Sequence, residues 1–162
     1  MKIIFLDIDG VLNVYCESRD KFGCTFHSNF VDNLKNIIDN TGAKIVISSS
    51  WRTDGLDIMK DLWKYRDLPG EVIDVTLHSY DLIRQGKFEF YDDVERGHEI
   101  QDWLDKHKEV TNYVIIDDDN DMLDTQRSNF VRTANNMDHD DKVDIGYGLT
   151  KICSEMAIKI LS

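Results

Sequence analysis

Short apolar runs alternate along this chain with segments in which apolar residues recur every three or four positions. The runs predict buried strands, because they are continuous and only four or five residues long. They cover residues 2–6, 44–47 and 113–116, together with an alternating run at 72–78 and a weaker one at 129–133. Helical spacing predicts helices around residues 31–38, 56–63, 100–104 and 152–160. This alternation favours an α/β fold with a parallel sheet covered by helices.

The segments outside these elements are too short for a second domain. Residues 13–30 and 78–95 are free to form flaps over the sheet, but neither is long enough for a large cap domain. Residues 135–147 are polar and acidic and are expected to form a loop. With 162 residues in total, we therefore expect a single domain over residues 1–162 with little or no cap.

The charge of the chain limits its partners. Nineteen basic residues against 31 acidic ones give a formal charge of −12, which argues against an extended nucleic-acid-binding surface. No stretch is apolar enough to cross a bilayer, and the N-terminus does not resemble a signal peptide. We expect a soluble, cytoplasmic protein without a membrane partner, and the sequence leaves its oligomeric state open.

The three cysteines do not predict a disulfide framework. Cys16, Cys24 and Cys153 are odd in number and form no Cys-x-x-Cys motif. Zinc binding by Cys16, Cys24 and His27 has no familiar spacing and no obvious fourth ligand. We expect ordinary small apolar cysteines.

Polar residues directly follow three of the predicted strands. They are Asp7-Ile8-Asp9-Gly10, Ser48-Ser49-Ser50 and Asp117-Asp118-Asp119. Since the carboxyl ends of parallel strands share one edge of a sheet, these three groups are expected to meet there. Alternation along an extended backbone points Asp7 and Asp9 the same way, and Gly10 permits a sharp turn.

Several carboxylates within a few ångströms repel one another unless a cation neutralises them. Oxygen ligands with room for water fit Mg²⁺ better than zinc. Acids that merely cap surface loops are the alternative, but the serines and the second acidic group at the same edge disfavour it. A calcium-binding loop beginning at Asp117 is rejected, because its sixth and twelfth positions are Met122 and Ser128.

The motifs, taken in order, resemble the haloacid dehalogenase (HAD) superfamily. FLDIDGVLN is similar to its first motif, and IVISSSWR, RGHEIQDWL and YVIIDDDND follow in the expected order. The second and third of these strings, with Gly148-Leu149-Thr150, resemble the HAD domain of Swiss army knife RNA repair proteins. The resemblance implies a Rossmann-like parallel sheet of about five strands, with helices on both faces.

The resemblance also implies a role for each acidic residue. Asp7 would attack phosphorus and form an aspartyl-phosphate. Asp9 would protonate the leaving oxygen and later deprotonate the hydrolytic water. Asp7, the Asp9 carbonyl and Asp118 would hold Mg²⁺, with Asp117 bound to the metal or beside it.

Two assignments stay open at this point. The hydroxyl that contacts phosphate is either Ser48 or Ser49. The cation of the third motif is Arg96, which stands where a lysine is more usual in the family, or else Lys87 if its loop folds back. His98, close to Arg96, is expected to be structural or solvated.

Trp51 and Arg52 follow the serines and are expected at the mouth of the cleft, together with Gly10. There Arg52 would hold a second phosphate and Trp51 would stack on a base. A core tryptophan beside a surface arginine is the alternative.

These observations predict a magnesium-dependent phosphomonoester hydrolase. Its expected substrate is a nucleotide or the phosphorylated end of a nucleic acid, as in RNA repair. The alternatives are a phosphatase for another small phosphoester, such as a sugar phosphate, and a metal- or phosphate-binding module without activity. The presence of both Asp7 and Asp9 disfavours the module.

Overall fold

A five-stranded parallel sheet forms the centre of the computed structural model, which describes residues 1–134 and 146–162. In chain order the strands are β1 (Lys2–Leu6), β2 (Arg19–Asp20), β3 (Gly23–Cys24), β4 (Lys44–Ile47), β5 (Val72–Val75), β6 (Asn112–Asp117) and β7 (Phe130–Arg132). The order across the large sheet is β5-β4-β1-β6-β7, and β2 pairs with β3 as a small antiparallel hairpin. The predicted α/β fold is confirmed. The predicted loop at 135–147 lies, up to residue 145, outside the described residues.

Five α-helices accompany the sheet over the described residues. They are α1 (Ser28–Thr41), α2 (Leu56–Tyr65), α3 (Ser79–Arg84), α4 (Arg96–Lys106) and α5 (Lys151–Leu161). The end of α1 shows how the sequence sets a boundary, because Gly42 adopts a φ of 65° and its N–H donates to the Ile38 carbonyl. Among the described residues no helix has the length and apolar character needed to span a bilayer.

Helices cover both faces of the sheet, which explains why β1 is apolar at every position from Ile3 to Leu6. Ile4 and Leu6 face the core formed with α1, α2 and α5. Ile3 and Phe5 face the opposite core, which includes Trp103 of α4. By contrast, β5 lies at one edge of the sheet and contains a polar residue, Asp74, and it ends at Val75, earlier than predicted.

The segment between β1 and α1 folds into a flap that a disulfide closes. Cys16 and Cys24 are bonded to each other, with their Cα atoms 5.3 Å apart. The expectation of three ordinary cysteines was therefore wrong for this pair, because the β2–β3 hairpin brings together two residues whose spacing matches no motif. Of the three, Cys153 alone is a free thiol, and it is buried. Asp20 of the flap accepts two hydrogen bonds of 2.8 Å from Arg66, which follows α2.

β1 lies at the point in the sheet where the order of strand addition reverses. The chain adds β4 and β5 on one side of β1, and then β6 and β7 on the other. In open parallel sheets, ligands bind in the crevice beyond the carboxyl end of such a strand. Here the residue directly after β1 is Asp7.

The disulfide predicts the thiol content of the protein. Protein purified without reductant and denatured in a thiol-reactive dye should release one equivalent of thiol, from Cys153, and three after reduction. Cys153→Ser should lower both values by one and serves as the control. Three equivalents before reduction would contradict the Cys16–Cys24 bond.

Candidate active site

Three aspartates from neighbouring strands meet at the carboxyl edge of the sheet. Asp7 follows β1, Asp117 ends β6 and Asp118 comes next. The backbone N–H of Asp7 donates to the Ile116 carbonyl at 3.0 Å, which fixes the two strand ends side by side. One carboxylate oxygen from each aspartate lies within 4.8 Å of the others. The predicted convergence of the first and fourth motifs is thus present.

Because two of these aspartates are buried, negative charge on their carboxylates is energetically costly. Asp7 is 7% exposed and Asp117 is 1% exposed. Burial raises the pKa of Asp7 to about 7 against the opposing effect of Arg96, and the charge of Asp118 adds to the rise. Burial also raises the pKa of Asp117, and the neighbouring Asp7 carboxylate raises it further. The site therefore holds less than its full negative charge near neutral pH unless a cation is bound.

The donor set fits a hard divalent cation. All three groups are carboxylates, which suits Mg²⁺ rather than a metal that prefers sulfur or imidazole. Oδ2 of Asp117 is buried and has no hydrogen-bond partner. A buried acceptor of this kind is rarely left unsatisfied, so a bound cation would complete the site.

Gly10 lies directly against this cluster. Its φ is +79°, and a Cβ atom at this position would lie 2.2 Å from Cγ of Asp118. The Gly10 carbonyl accepts a hydrogen bond of 2.8 Å from the Thr133 hydroxyl. Glycine is therefore required here both by conformation and by the closeness of Asp118.

Asp9 differs from Asp7 in being exposed. Its Oδ1 accepts from the Asn13 amide at 3.0 Å, and its Oδ2 accepts from the Trp51 indole at 2.8 Å. Its carboxylate is therefore engaged by side chains outside the aspartate cluster. The expectation that Asp9 offers a metal its main-chain carbonyl is compatible with this arrangement.

The structure distinguishes the two serines. The Ser49 hydroxyl hydrogen-bonds the Asp7 carboxylate, and this bond opposes the rise in the Asp7 pKa. Oγ of Ser49 also accepts from the Trp51 backbone N–H at 3.3 Å. The Ser48 hydroxyl is buried without a hydrogen-bond partner. Of the two candidates, Ser49 is the one in contact with the predicted nucleophile.

Arg96 occupies the position predicted for the cation of the third motif. It begins α4, and its Nε lies 3.9 Å from Oδ2 of Asp117. Burial lowers the pKa of Arg96, but the charges of Asp117 and Asp7 outweigh this effect and raise it. Nη1 of Arg96 is buried without a hydrogen-bond partner. Lys87, the other candidate for the cation of the third motif, instead forms a salt bridge with Asp102.

Asp121 has a role that the sequence interpretation missed. Its Oδ2 accepts from the backbone N–H of Arg96 at 3.1 Å, and its carbonyl accepts from Gly97. It thereby holds the first turn of α4 against the loop that follows β6. The signal in the sequence is its position four residues after Asp117, in the loop that follows β6. His98 is structural, as expected, because its Nδ1 accepts from the Glu95 N–H.

The predicted substrate-binding role of Arg52 is wrong. Arg52 is 3% exposed, and all five of its N–H groups are used within the protein. They donate to the carbonyls of Ser48, Ser49, Thr76 and Leu77 and to the Glu99 carboxylate. The serine turn and α4 are thus joined through one guanidinium, which has no donor left for a phosphate.

Trp51 lies at the site, but it is less exposed than the prediction of a residue at the cleft mouth implies. It is half-buried, so neither a core tryptophan nor an open stacking surface describes it. One side of its ring packs near Phe26, with centroids 5.6 Å apart, and its N–H is bonded to Asp9. Base stacking by Trp51 therefore stays a prediction.

The comparisons with known proteins agree with this geometry. The family model described as the HAD domain in Swiss Army Knife RNA repair proteins matches residues 3–138. The match covers every acidic residue of the site. Searches of curated proteins and of solved structures find no match.

The raised pKa of Asp7 predicts a pH-dependent stability of the metal-free protein. Between about pH 4 and 7 the folded state keeps a proton on Asp7 that the unfolded state releases, so this residue lowers stability as pH rises. Above pH 7 the loss reaches its full value, up to about 4 kcal/mol. In chelator, Asp7→Asn should therefore raise the free energy of unfolding more at pH 8 than at pH 4.5.

Denaturant unfolding at both pH values measures this difference. Asp9→Asn is the matched control, because that carboxylate is exposed and should show a much smaller difference between the two pH values. Equal effects of Asp7→Asn at pH 4.5 and 8 would contradict the raised pKa.

Proposed function

The chain belongs to the family of HAD domains in Swiss Army Knife RNA repair proteins, and from this premise we propose that it is a magnesium-dependent phosphomonoester hydrolase. The family indicates a hydrolase of the phosphatase type. The observation that carries the finer proposal is the convergence on Asp7 of a guanidinium, a hydroxyl and further carboxylates. The groups that the proposal requires as nucleophile, phosphate-binding donors and cation ligands therefore lie together.

In the first step, an Asp7 oxygen attacks phosphorus and forms a new P–O bond. The bond between phosphorus and the leaving oxygen breaks, and that oxygen takes the proton carried by Asp9. Arg96 and Ser49 donate to the phosphoryl oxygens. Arginine keeps its charge throughout and offers two parallel donors, so it suits an anion that passes through a charged transition state.

In the second step, the Asp9 carboxylate removes a proton from water as the water oxygen attacks phosphorus. The bond to Asp7 breaks, which releases inorganic phosphate and restores the Asp7 carboxylate. Asp9 thereby returns to its protonated form. Its exposure supports this role, since the group must meet both the leaving oxygen and water.

Asp7, Asp118 and the Asp9 carbonyl would hold Mg²⁺, with Asp117 bound to it or beside it. When bound, the ion neutralises charge between the nucleophile and the phosphate. The carboxylates of this chain fix its position, and Gly10 leaves the space that the Asp118 side chain needs.

We further propose that the substrate is a nucleotide or a terminal phosphate of a nucleic acid. The family description refers to RNA repair. The flaps of this chain are small, since the 78–95 segment contains only α3 and a short turn at Tyr91–Asp93. An open cleft accommodates the end of a polymer. The net charge of −12 repels a long polyanion, so contact is expected with the last one or two nucleotides only.

Substitution of the two aspartates tests the mechanism. With Mg²⁺ present, Asp7→Asn should reduce kcat at least about a thousandfold, because the nucleophile is lost. Asp9→Asn should reduce kcat strongly while Mg²⁺ affinity, measured by calorimetry, is kept. Excess chelator should abolish wild-type activity and Mg²⁺ should restore it. Activity of Asp7→Asn within about tenfold of wild type would refute the aspartyl-phosphate mechanism.

A panel of phosphoesters tests the substrate. It should contain mononucleotides, sugar phosphates, phosphopeptides and oligonucleotides phosphorylated at either end. We expect the highest kcat/KM for nucleotides or oligonucleotide ends, with little dependence on oligonucleotide length. A sugar phosphate that exceeds every nucleotide would refute the RNA-repair proposal and leave the phosphatase proposal standing. Hydrolysis of no compound would favour a binding module.

A further inference from the structure

The Asp9 carboxylate is exposed, yet both of its oxygens accept hydrogen bonds from neighbouring side chains. The Trp51 indole N–H donates to its Oδ2 at 2.8 Å, and the Asn13 amide donates to its Oδ1 at 3.0 Å. An exposed aspartate without such bonds samples several rotamers. Both oxygens of Asp9 are instead tied to neighbours, and one of these neighbours is a large, half-buried ring.

The position of Trp51 is itself set by the flap. A Cβ atom on Gly23 would lie 3.4 Å from Cη2 of Trp51, so the hairpin backbone closes directly over the indole. The Phe26 ring packs beside the indole, with centroids 5.6 Å apart. The Arg66 guanidinium lies 4.4 Å from the Phe26 centroid and 5.7 Å from that of Trp51, and it is fixed by Asp20.

On the serine side, Trp51 belongs to the turn at Ser50–Asp54, which Ser49 caps. The backbone N–H of Trp51 donates to Oγ of Ser49, and the Ser49 hydroxyl contacts Asp7. The same residue therefore connects, through its backbone and its indole, to both aspartates of the first motif. Its indole is therefore held between the flap and the Asp9 carboxylate.

We propose that Trp51 is a positioning residue that fixes the Asp9 carboxylate for proton transfer. This inference rests on the proposed function, in which Asp9 is the general acid and base. Proton transfer requires the carboxyl oxygen within about 2.6–3.2 Å of the leaving oxygen. Each carboxyl oxygen has two lone pairs, so the indole bond is kept whether or not Asp9 carries its proton.

The hydrogen bond is testable without any activity. In the ¹H–¹⁵N spectrum of the metal-free protein, Trp51→Phe identifies the Trp51 indole signal by its loss. Asp9→Ala should move that signal upfield, since the charged acceptor is removed. The Trp63 and Trp103 indoles donate to Pro69 and Asp74 and should not move. An unchanged Trp51 signal would overturn the proposal.

The positioning role is testable by leaving-group dependence. Phenyl phosphate needs a proton on its leaving oxygen more than p-nitrophenyl phosphate does. Trp51→Phe keeps a ring against Phe26 but removes the donor. It should lower kcat/KM, which reports phosphoryl transfer to Asp7, about tenfold for phenyl phosphate and less than threefold for p-nitrophenyl phosphate, as part of the 10²–10⁴ that a general acid contributes. Asp9→Asn should show the same pattern more strongly.

Trp63→Phe is the matched control, because its indole bond lies away from Asp9, and it should affect both substrates equally. Equal losses on both substrates in Trp51→Phe would show that the ring is needed only for packing and would overturn the proposal. If Asp9→Asn showed no leaving-group pattern while the Trp51 signal responded to Asp9→Ala, the proposed function would fail, and the positioning role with it.

Discussion

The properties of the site follow from one constraint, which is that the fold places mutually repelling carboxylates side by side. Two strand ends bring Asp7 and Asp117 into one buried corner, and Asp118 stands beside them. Burial and mutual repulsion raise the pKa values of the two buried groups, so the arrangement is unfavourable without positive charge nearby. A hard cation bound here would relieve a cost that is already present in the protein.

Arg96 supplies positive charge to Asp117 and Asp7, and a second buried ion pair holds α4, the helix that begins at Arg96. Arg52 and Glu99 form a salt bridge of 2.6 Å in which both side chains are almost fully buried. Burial lowers the pKa of Arg52 to about 10, still well above neutral pH. Because its other donors bind the carbonyls of the serine turn and of the segment after β5, it locks α4 against both. Breaking such a pair by removing one partner costs about 3–5 kcal/mol, and here it would also remove one of the contacts that hold α4, the helix that begins at Arg96.

The sequence was sufficient to predict the features that local patterns determine, but not the contacts between residues that are distant along the chain. Continuous apolar runs identified the central strands, and the acids after β1 and β6 identified the cluster. Three features depend on contacts between distant segments that no spacing in the sequence reveals. They are the Cys16–Cys24 disulfide, the hydrogen bonds from the start of α4 to Asp121, and the pairing of all five Arg52 N–H groups inside the protein. Trp51 and Arg52 were both expected at the mouth of the cleft, but Arg52 is buried and Trp51 is half-buried. An arginine with five carbonyl and carboxylate acceptors around it is stable in the interior, whereas the tryptophan needs access to Asp9.

The most direct measurement is a crystal structure of the protein with Mg²⁺ and beryllium fluoride, which mimics a phosphoryl group on an aspartate. We expect trifluoroberyllate on an Asp7 oxygen, with donors from Ser49 and Arg96 on its fluorines. We also expect Mg²⁺ at about 2.1 Å from oxygens of Asp7 and Asp118. Beryllium fluoride on another residue, or Mg²⁺ bound without Asp7, would contradict the claim that this carboxylate cluster is a phosphoryl-transfer site.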